Sequence, residues 1–281
     1  MADELERVRK ALRELGKALQ SLHGDPTPND VHKLRTASRR LESIATVLET
    51  IDEKKSRRLV KSIEPLRKAA GGVRDMDVLT ANARKLARYG AAESVKHLVS
   101  HLETARQQNA AELQRVVHRR RKAALEDLKA YSAPVRAALN RAKSQRAKSI
   151  ARSGADRSQI EETIHSAAMS AVRELGDWEP LDSSNLHEFR LKVKHLRYTL
   201  QLDANADPSL VEALGHVQRS IGNWHDWQQM KEIASEVLVL EKHQALLGRI
   251  DAILKRRLDG ALKAANSLRR KYLNMPLPMS A

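Results

Sequence analysis

Apolar residues recur at helical spacing along almost the whole chain of 281 residues. After Pro28, for example, Leu34, Leu41 and Leu48 follow one another every seven residues, which places them on one side of a helix. No stretch alternates apolar and polar residues with the enrichment in Val, Ile, Thr and aromatic residues that is typical of a strand. We therefore expect an all-α fold.

Clusters of Gly, Pro, Asp, Ser and Asn separate the helical segments. They lie at 24–29, 71–75, 132–134, 153–158, 176–185, 203–208 and 222–226. The clearest helix start follows the first cluster, with Thr27 as N-cap, Pro28 at the first helical position and Asp30 near the positive end of the helix dipole.

The helix after Pro28 carries cationic side chains opposite its apolar stripe. At 100° per residue, with His32 at zero, Arg35 lies at about 300° and Arg39 at about 340°, whereas Leu34 lies at about 200°. One imidazole and two guanidinium groups along one face repel one another unless an anion lies beside them. These three residues are candidates for binding an anion, and a solvated surface is the alternative.

The same pattern returns 155 residues later, where His187, Arg190 and Lys194 occupy the equivalent positions. A second pair of matching segments, offset by 151 residues, ends each time in G-x-x-x-D, at 71–75 and at 222–226. We interpret the two matches as an internal duplication. We expect each G-x-x-x-D to form a turn whose Asp caps the following helix.

The duplication divides the chain at the polar, basic stretch 144–158 into a first helical half, 1–150, and a second helical half, 151–281. Each helix has one apolar stripe to bury, so the halves are expected to pack together.

Two substitutions distinguish the copies. Lys194 stands where the first copy has Arg39, and Arg197 stands where the first copy has Glu42. The two copies need not bind a ligand equally.

The charge balance, 51 Lys and Arg against 35 Asp and Glu, gives a formal net charge of +16 and predicts a polyanionic partner. The absence of Cys excludes thiol nucleophiles, Cys-ligated zinc and iron–sulfur clusters. No P-loop, dinucleotide fingerprint or nucleophile elbow is present. We expect no catalytic residue, no cofactor and no enzymatic activity.

A weak metal signal remains at Glu93, His97 and His101, which share one helical face. The sequence H-L-V-S-H lacks the Glu of H-E-x-x-H, and we expect no metal there.

The first 25 residues carry Asp3, Glu4, Glu6 and Glu14 and no sustained apolar stretch, which predicts a cytoplasmic protein. The longest aliphatic run, 237–240, is far too short to cross a bilayer, so no membrane span is expected.

The segments V-H-K-L-R-T-A-S-R-R-L and L-H-E-F-R-L-K-V-K-H-L-R-Y, each followed by G-x-x-x-D, resemble the CHAD family, the conserved histidine α-helical domain. The resemblance covers nearly the whole chain. It implies an internally duplicated pair of helical bundles with pseudo-twofold symmetry around a basic central groove or pore. It also implies binding of inorganic polyphosphate, including on polyphosphate granules, and does not imply catalysis.

The resemblance carries over to individual residues. The implied polyphosphate contacts are His32, Arg35, Arg39, His187, Arg190 and Lys194, with Arg40, His195 and Arg197 as neighbours. Phosphate and sulfate are expected to mimic the ligand.

Other functions remain open. The same charge suits a non-specific RNA- or DNA-binding protein, although such proteins usually stack bases on aromatic residues, which are few here. An enzyme of phosphate metabolism and an adaptor that recruits a protein to polyphosphate are further alternatives, and no protein partner is identified. Trp224 and Trp227 are expected to pack between helices, and further basic clusters lie at 84–88, 118–122, 255–257 and 269–271.

Overall fold

The computed structural model describes residues 2–22, 26–89, 91–150, 159–203 and 206–273. Within these ranges the chain forms helices and no strand, which confirms the all-α prediction. The α-helices of the described chain are α1 (Ala2–Ser21), α2 (Pro28–Val47), α3 (Glu53–Leu86), α4 (Ala92–Ile150), α5 (Gln159–Gly176), α6 (Leu186–Leu200), α7 (Pro208–Val237) and α8 (Leu240–Leu268). No helix among the described residues combines the length and apolar composition that crossing a bilayer requires.

The predicted start of α2 is confirmed. The Thr27 hydroxyl oxygen accepts a hydrogen bond from the backbone N–H of Asp30 at 3.3 Å, and the Asp30 carboxylate accepts one from the backbone N–H of Thr27 at 3.3 Å. This reciprocal pair is a capping box and satisfies two N–H groups that the helix itself leaves without partners. The hydrogen bonds from Thr27 also lower the pKa of Asp30.

The two predicted G-x-x-x-D turns are wrong. Residues 71–75 lie inside α3 and residues 222–226 lie inside α7, so Asp75 and Asp226 do not cap helices. Each first glycine instead lies beneath an arginine from a neighbouring helix, as described below. A glycine needed for close packing and a glycine needed for a turn look the same in a single sequence.

The break predicted at 132–134 is also wrong, because α4 continues through Pro134. A proline inside a helix costs about 3 kcal/mol or more through its missing N–H and its clash with the preceding turn. Here Tyr131 and Val135 on either side of it are fully buried, and such packing of one helix face against the core favours a continuous helix.

The chain forms two compact units, each assembled from separate segments. Unit 1 comprises Met1–Arg74, Asn109–Ser170 and Tyr198–Ala206, and unit 2 comprises Asp75–Gln108, Ala171–Arg197 and Asp207–Ala281. Helices α3, α4, α5 and α6 therefore contribute residues to both units.

These units group residues by packing, whereas the halves 1–150 and 151–281 group them by repeated motifs. The division into halves and the internal duplication stay predictions. Of the predicted linker 144–158, residues up to Ile150 belong to α4, and residues 151–158 lie outside the described residues.

The core of unit 1 lies between α1, α2, the first part of α3 and the later part of α4. The predicted stripe of α2 faces it, with Leu34, Leu41 and Leu48 almost completely buried. Burial of such side chains contributes about 1.5–3 kcal/mol each, and it orients the opposite face of α2 away from the core.

Unit 2 has a core of its own, in which the end of α3 and the start of α4 pack with α7 and α8. Phe189 and Leu196 of α6 are also fully buried in this unit, and the Phe189 ring meets the Trp178 ring edge-on at 5.7 Å. The buried face of α6 is the one predicted from its sequence, so its His and Arg residues lie on the other side.

Candidate anion-binding clusters

The first cluster consists of His32, Arg35 and Arg39 on α2 and Arg74 on α3, all within unit 1. The His32 ring is exposed, and the two α2 arginines are half-buried. The Arg35 guanidinium lies over α3 at Gly71, where an added Cβ would be 3.9 Å from Nε. The arginine thus lies against the neighbouring helix, at a distance that an alanine at this position would also allow.

Partial burial, followed by the positive charges of Arg74 and Arg35, lowers the pKa of His32 below 6.5. The ring is therefore mainly neutral near pH 7 while no anion is bound. A phosphate group placed among these cations would favour the imidazolium form.

The second cluster consists of His187, Arg190, Lys194 and Arg197 on α6 and His225 on α7, all within unit 2. Arg190 donates from Nε to the backbone carbonyl of Gln218 at 3.3 Å, and Arg197 donates from Nη1 to the Gln218 side-chain oxygen at 3.1 Å. One residue of α7 therefore holds both guanidinium groups in place. Here glycines make room for them, at Gly222 beneath Arg190 and at Gly215 beneath Arg197.

The rings of His187 and His225 lie 4.8 Å apart at an interplanar angle of 40°. Among the described residues, the buried Nδ1 of His187 has no hydrogen-bond partner. Burial has the largest effect on His187 and lowers its pKa. The charges of His225, Arg190 and Lys194 lower it further.

The pKa of His225 is lowered as well, by burial and by Arg190. Asp75 and Glu232 act on His225 in the opposite direction. The paired rings are therefore mainly neutral near pH 7, because two adjacent imidazolium ions among cations would repel one another.

The spacing along α6 predicts that Lys194 is exposed on the same face as His187 and Arg190. In the structure it is buried, and only 7% of the residue is accessible to solvent. A buried ammonium group needs nearby polar or charged partners to offset its lost hydration. Its positive charge contributes to lowering the pKa of His187, so it acts on the cluster although the residue is buried.

Two predicted neighbours lie apart from the clusters. Arg40 donates from Nη1 to the carboxylate of Glu14 on α1 at 2.7 Å. Burial is the largest cause that lowers the pKa of His195. The charges that act on it are those of Lys192, which lowers the pKa, and Glu174, which raises it. Arg197, the third predicted neighbour, joins the second cluster through Gln218.

Arg74 and His225 were not singled out from the sequence, although a signal was present. They occupy matching positions directly before the Asp of G-x-x-x-D, offset by the same 151 residues. Once both segments are seen to be helical, these positions lie one turn beyond the glycine that receives the arginine. Each then acts on the histidine of its own cluster.

Glu42 stands in the first copy where the second copy has Arg197, and its partner differs accordingly. Glu42 accepts a hydrogen bond from Nε of Arg67 on α3 at 2.6 Å, and this pair is about one-fifth exposed. Arg67 and Gln218 are offset by 151 residues, and Glu42 and Arg197 by 155. Both units thus link the same two helix positions, through a neutral ion pair in unit 1 and through a cationic pair in unit 2.

The weak metal signal at His97 finds no support among the described residues, where no three His, Asp or Glu side chains are placed to hold a metal ion. His97 instead lies edge-on to His243, with ring centroids 6.2 Å apart. His243 Nδ1 lies 2.7 Å from the Ser94 hydroxyl oxygen.

Comparison with known proteins identifies the family. The model of the CHAD domain matches residues 6–235, and the chain belongs to this family. The search of curated proteins returned no match.

Two solved structures have a similar fold. The crystal structure of the CHAD domain from the plant Ricinus communis is similar with a TM-score of 0.59 at 16% identity, over 94% of this chain and 89% of that one. PptA from Streptomyces chartreusis is similar with a TM-score of 0.66 at 14% identity, over 96% of this chain and 99% of that one. At these identities the likeness shows the fold alone.

Proposed function

We propose that this chain binds inorganic polyphosphate through the first and second clusters and does not turn it over. The observation that carries the proposal is the arrangement found in each unit: a histidine, and an arginine one turn later that lies over a glycine of the next helix. Membership of the CHAD family, whose resemblance implies polyphosphate binding, supports the same ligand.

The chemistry of the clusters suits a flexible row of oxyanions. Arginine presents several N–H donors in a fixed plane and contacts phosphate through one or two of them. Because Arg35, Arg190 and Arg197 lie against neighbouring helices, less of their side-chain freedom is lost when an anion binds. Neither cluster includes an aromatic residue other than histidine, so a ligand without bases fits it better than a single-stranded nucleic acid does.

The direct test is titration with long-chain polyphosphate at about 0.15 M salt, with single-stranded RNA of equal phosphate concentration as competitor. The variant to compare carries Arg35→Gln, Arg39→Gln and Arg190→Gln. Lys194 is left unchanged because it is buried, and its removal could disturb the fold. We expect the variant to lose most of the affinity and RNA to displace polyphosphate poorly.

A matched control removes three exposed arginines of α4, with Arg119→Gln, Arg120→Gln and Arg136→Gln. It has the same net charge as the test variant, so any difference between them reports position rather than total charge. Equal losses in both variants, or equal competition by RNA, would contradict the proposal and favour a non-specific nucleic-acid binder.

Binding without turnover and recruitment to polyphosphate granules are tested separately. The absence of phosphoryl-transfer motifs from the sequence supports binding alone. Release of orthophosphate from polyphosphate in the presence of Mg²⁺ would contradict it. For granules, we expect the tagged protein to coincide with polyphosphate in cells and the cluster variant to spread away from it.

A further inference from the structure

Unit 2 contains a cavity of about 380 Å³ that is separate from the residues of the second cluster. Its lining comes from the end of α3, from α7 and from α8, and consists of Lys85, Leu86, Trp227, Ile253, Arg256 and Arg257. Three of these residues lie beyond 235, the last residue that the CHAD family model matches. Ligand pockets in proteins typically have volumes of about 300–1,000 Å³, and this cavity falls within that range.

The lining has two chemically different parts. Leu86, Trp227 and Ile253 belong to the core of unit 2 and are each at least 92% buried, and they form an apolar floor. Lys85, Arg256 and Arg257 are exposed at the rim. The sequence had marked these cations and Trp227 as isolated signals, and the fold brings them to one place.

The rim cations are not neutralised by neighbouring side chains. Within the described chain, no carboxylate lies within ion-pair distance of the three rim residues. Lys85 donates weakly to the Asn82 amide oxygen at 3.4 Å, and Arg256 donates to the backbone carbonyl of Ala252 one turn earlier, also at 3.4 Å. Three uncompensated positive charges above an apolar floor are complementary to an anion that also has an apolar, aromatic part.

We propose that this cavity binds a nucleoside di- or triphosphate. The nucleobase contacts the Trp227 indole and its aliphatic neighbours, and the phosphates are held by Arg256, Arg257 and Lys85. Inorganic polyphosphate fits less well because it has no apolar part to cover the floor. Arginine suits phosphate because it forms forked hydrogen bonds, and the part of the Trp227 side chain that remains accessible supplies apolar contact.

Titration calorimetry without divalent cations, using ATP, ADP, adenosine and inorganic tripolyphosphate, tests this site. The test variant is Arg256→Gln with Arg257→Gln, and the control is Lys255→Gln with Lys263→Gln. The control residues are exposed cations of the same helix that do not line the cavity. Loss of two charge-assisted contacts should weaken ATP binding about tenfold or more, and the control should bind as the wild type does.

A second readout follows the indole. We expect ATP to quench part of the tryptophan fluorescence and Trp227→Phe to abolish that change, while Trp178 and Trp224 remain. The cluster variant Arg35→Gln, Arg39→Gln, Arg190→Gln should retain ATP binding, which separates this site from the polyphosphate site.

Three results would overturn the proposal. ATP and tripolyphosphate could bind equally well and lose affinity equally in the test variant, which would show a site for phosphate alone. The test variant could bind ATP as tightly as the control does. The quenching could persist in Trp227→Phe, which would place the base elsewhere.

Discussion

At the scale of single residues, two glycines differ in how closely an arginine lies against them. A Cβ at Gly222 would lie 3.0 Å from Nη2 of Arg190, whereas a Cβ at Gly71 would lie 3.9 Å from Nε of Arg35. The distance at Gly71 is an ordinary van der Waals contact, and the distance at Gly222 is tighter than about nine in ten Cβ contacts. Equivalent glycines therefore constrain their arginines differently.

The variants Gly71→Ala and Gly222→Ala use this difference. Alanine in a helix interior is favoured over glycine by about 0.5–1 kcal/mol, so we expect Gly71→Ala to raise the free energy of unfolding and leave polyphosphate affinity unchanged. Gly222→Ala should displace the Arg190 guanidinium, lower the affinity and gain less stability. Urea unfolding and polyphosphate titration measure both effects. Unchanged affinity in Gly222→Ala would mean that the position of Arg190 does not matter for binding.

The histidines of the clusters predict a pH dependence. The pKa values of His32, His187 and His225 lie below 6.5 in the anion-free protein. A bound polyanion stabilises the imidazolium form and raises these pKa values, so protons are taken up on binding. Polyphosphate affinity should therefore rise as the pH falls through the bound-state pKa values, and level off below the anion-free ones.

Titrations between about pH 8 and pH 5.5, spanning the histidine pKa, measure this dependence. The triple variant His32→Gln, His187→Gln, His225→Gln should flatten the curve. His101 and His118 are exposed and lie outside the clusters. The double variant His101→Gln, His118→Gln is therefore the control and should keep the wild-type slope. A wild-type curve that is flat, or a slope that survives in the first variant, would remove the histidines from the binding mechanism.

At the scale of helices, the sequence predicted the positions of several ends and both buried faces. Pro28, Gly176 and Pro208 lie at helix ends because capping and backbone chemistry act locally, within a few residues. The glycines of G-x-x-x-D were misread because their role depends on an arginine far away in the chain. Burial of Lys194 was missed for the same reason: it is set by neighbouring helices rather than by the spacing along α6.

The link between α2 and α3 differs in charge from the link between α6 and α7. Glu42 and Arg67 form an ion pair where Arg197 and Gln218 form a cationic hydrogen bond. In unit 1 Glu42 lies one turn after Arg39 on α2, and its carboxylate neutralises the positive charge of Arg67. The first cluster is therefore expected to bind a polyanion less strongly than its count of arginines implies.

The variant Glu42→Gln removes that negative charge and retains the shape of the side chain. We expect polyphosphate affinity to increase because Arg67 is no longer neutralised, and the free energy of unfolding to fall by about 1–2 kcal/mol because a largely buried charged hydrogen bond is weakened. Glu64→Gln is the control, since Glu64 pairs with Lys68 one turn along the same helix. An equal gain in affinity from both variants would attribute the effect to net charge alone.

At the scale of the whole molecule, a net charge of +16 raises the local concentration of any polyanion, whatever its structure. Affinity by itself does not distinguish this diffuse attraction from contacts at defined residues. The dependence on salt does, because each phosphate neutralised at a contact releases counterions, and the slope counts those contacts. The clusters offer five arginines that are not buried: Arg35, Arg39, Arg74, Arg190 and Arg197.

Five contacts at about −0.7 each predict a slope of log affinity against log salt of about −3.5, by analogy with single-stranded nucleic acids. The cluster variant Arg35→Gln, Arg39→Gln, Arg190→Gln removes three of the five contacts and should bring the slope to about −1.4. The α4 control variant has the same net charge and should keep the wild-type slope, because its arginines attract the polyanion without contacting it. Titrations from about 0.05 to 0.3 M salt separate the two cases. Equal reductions of slope in both variants would mean that polyphosphate is held by the charge of the whole surface, and that the paired arrangement of histidine, arginine and glycine serves the packing of the helices.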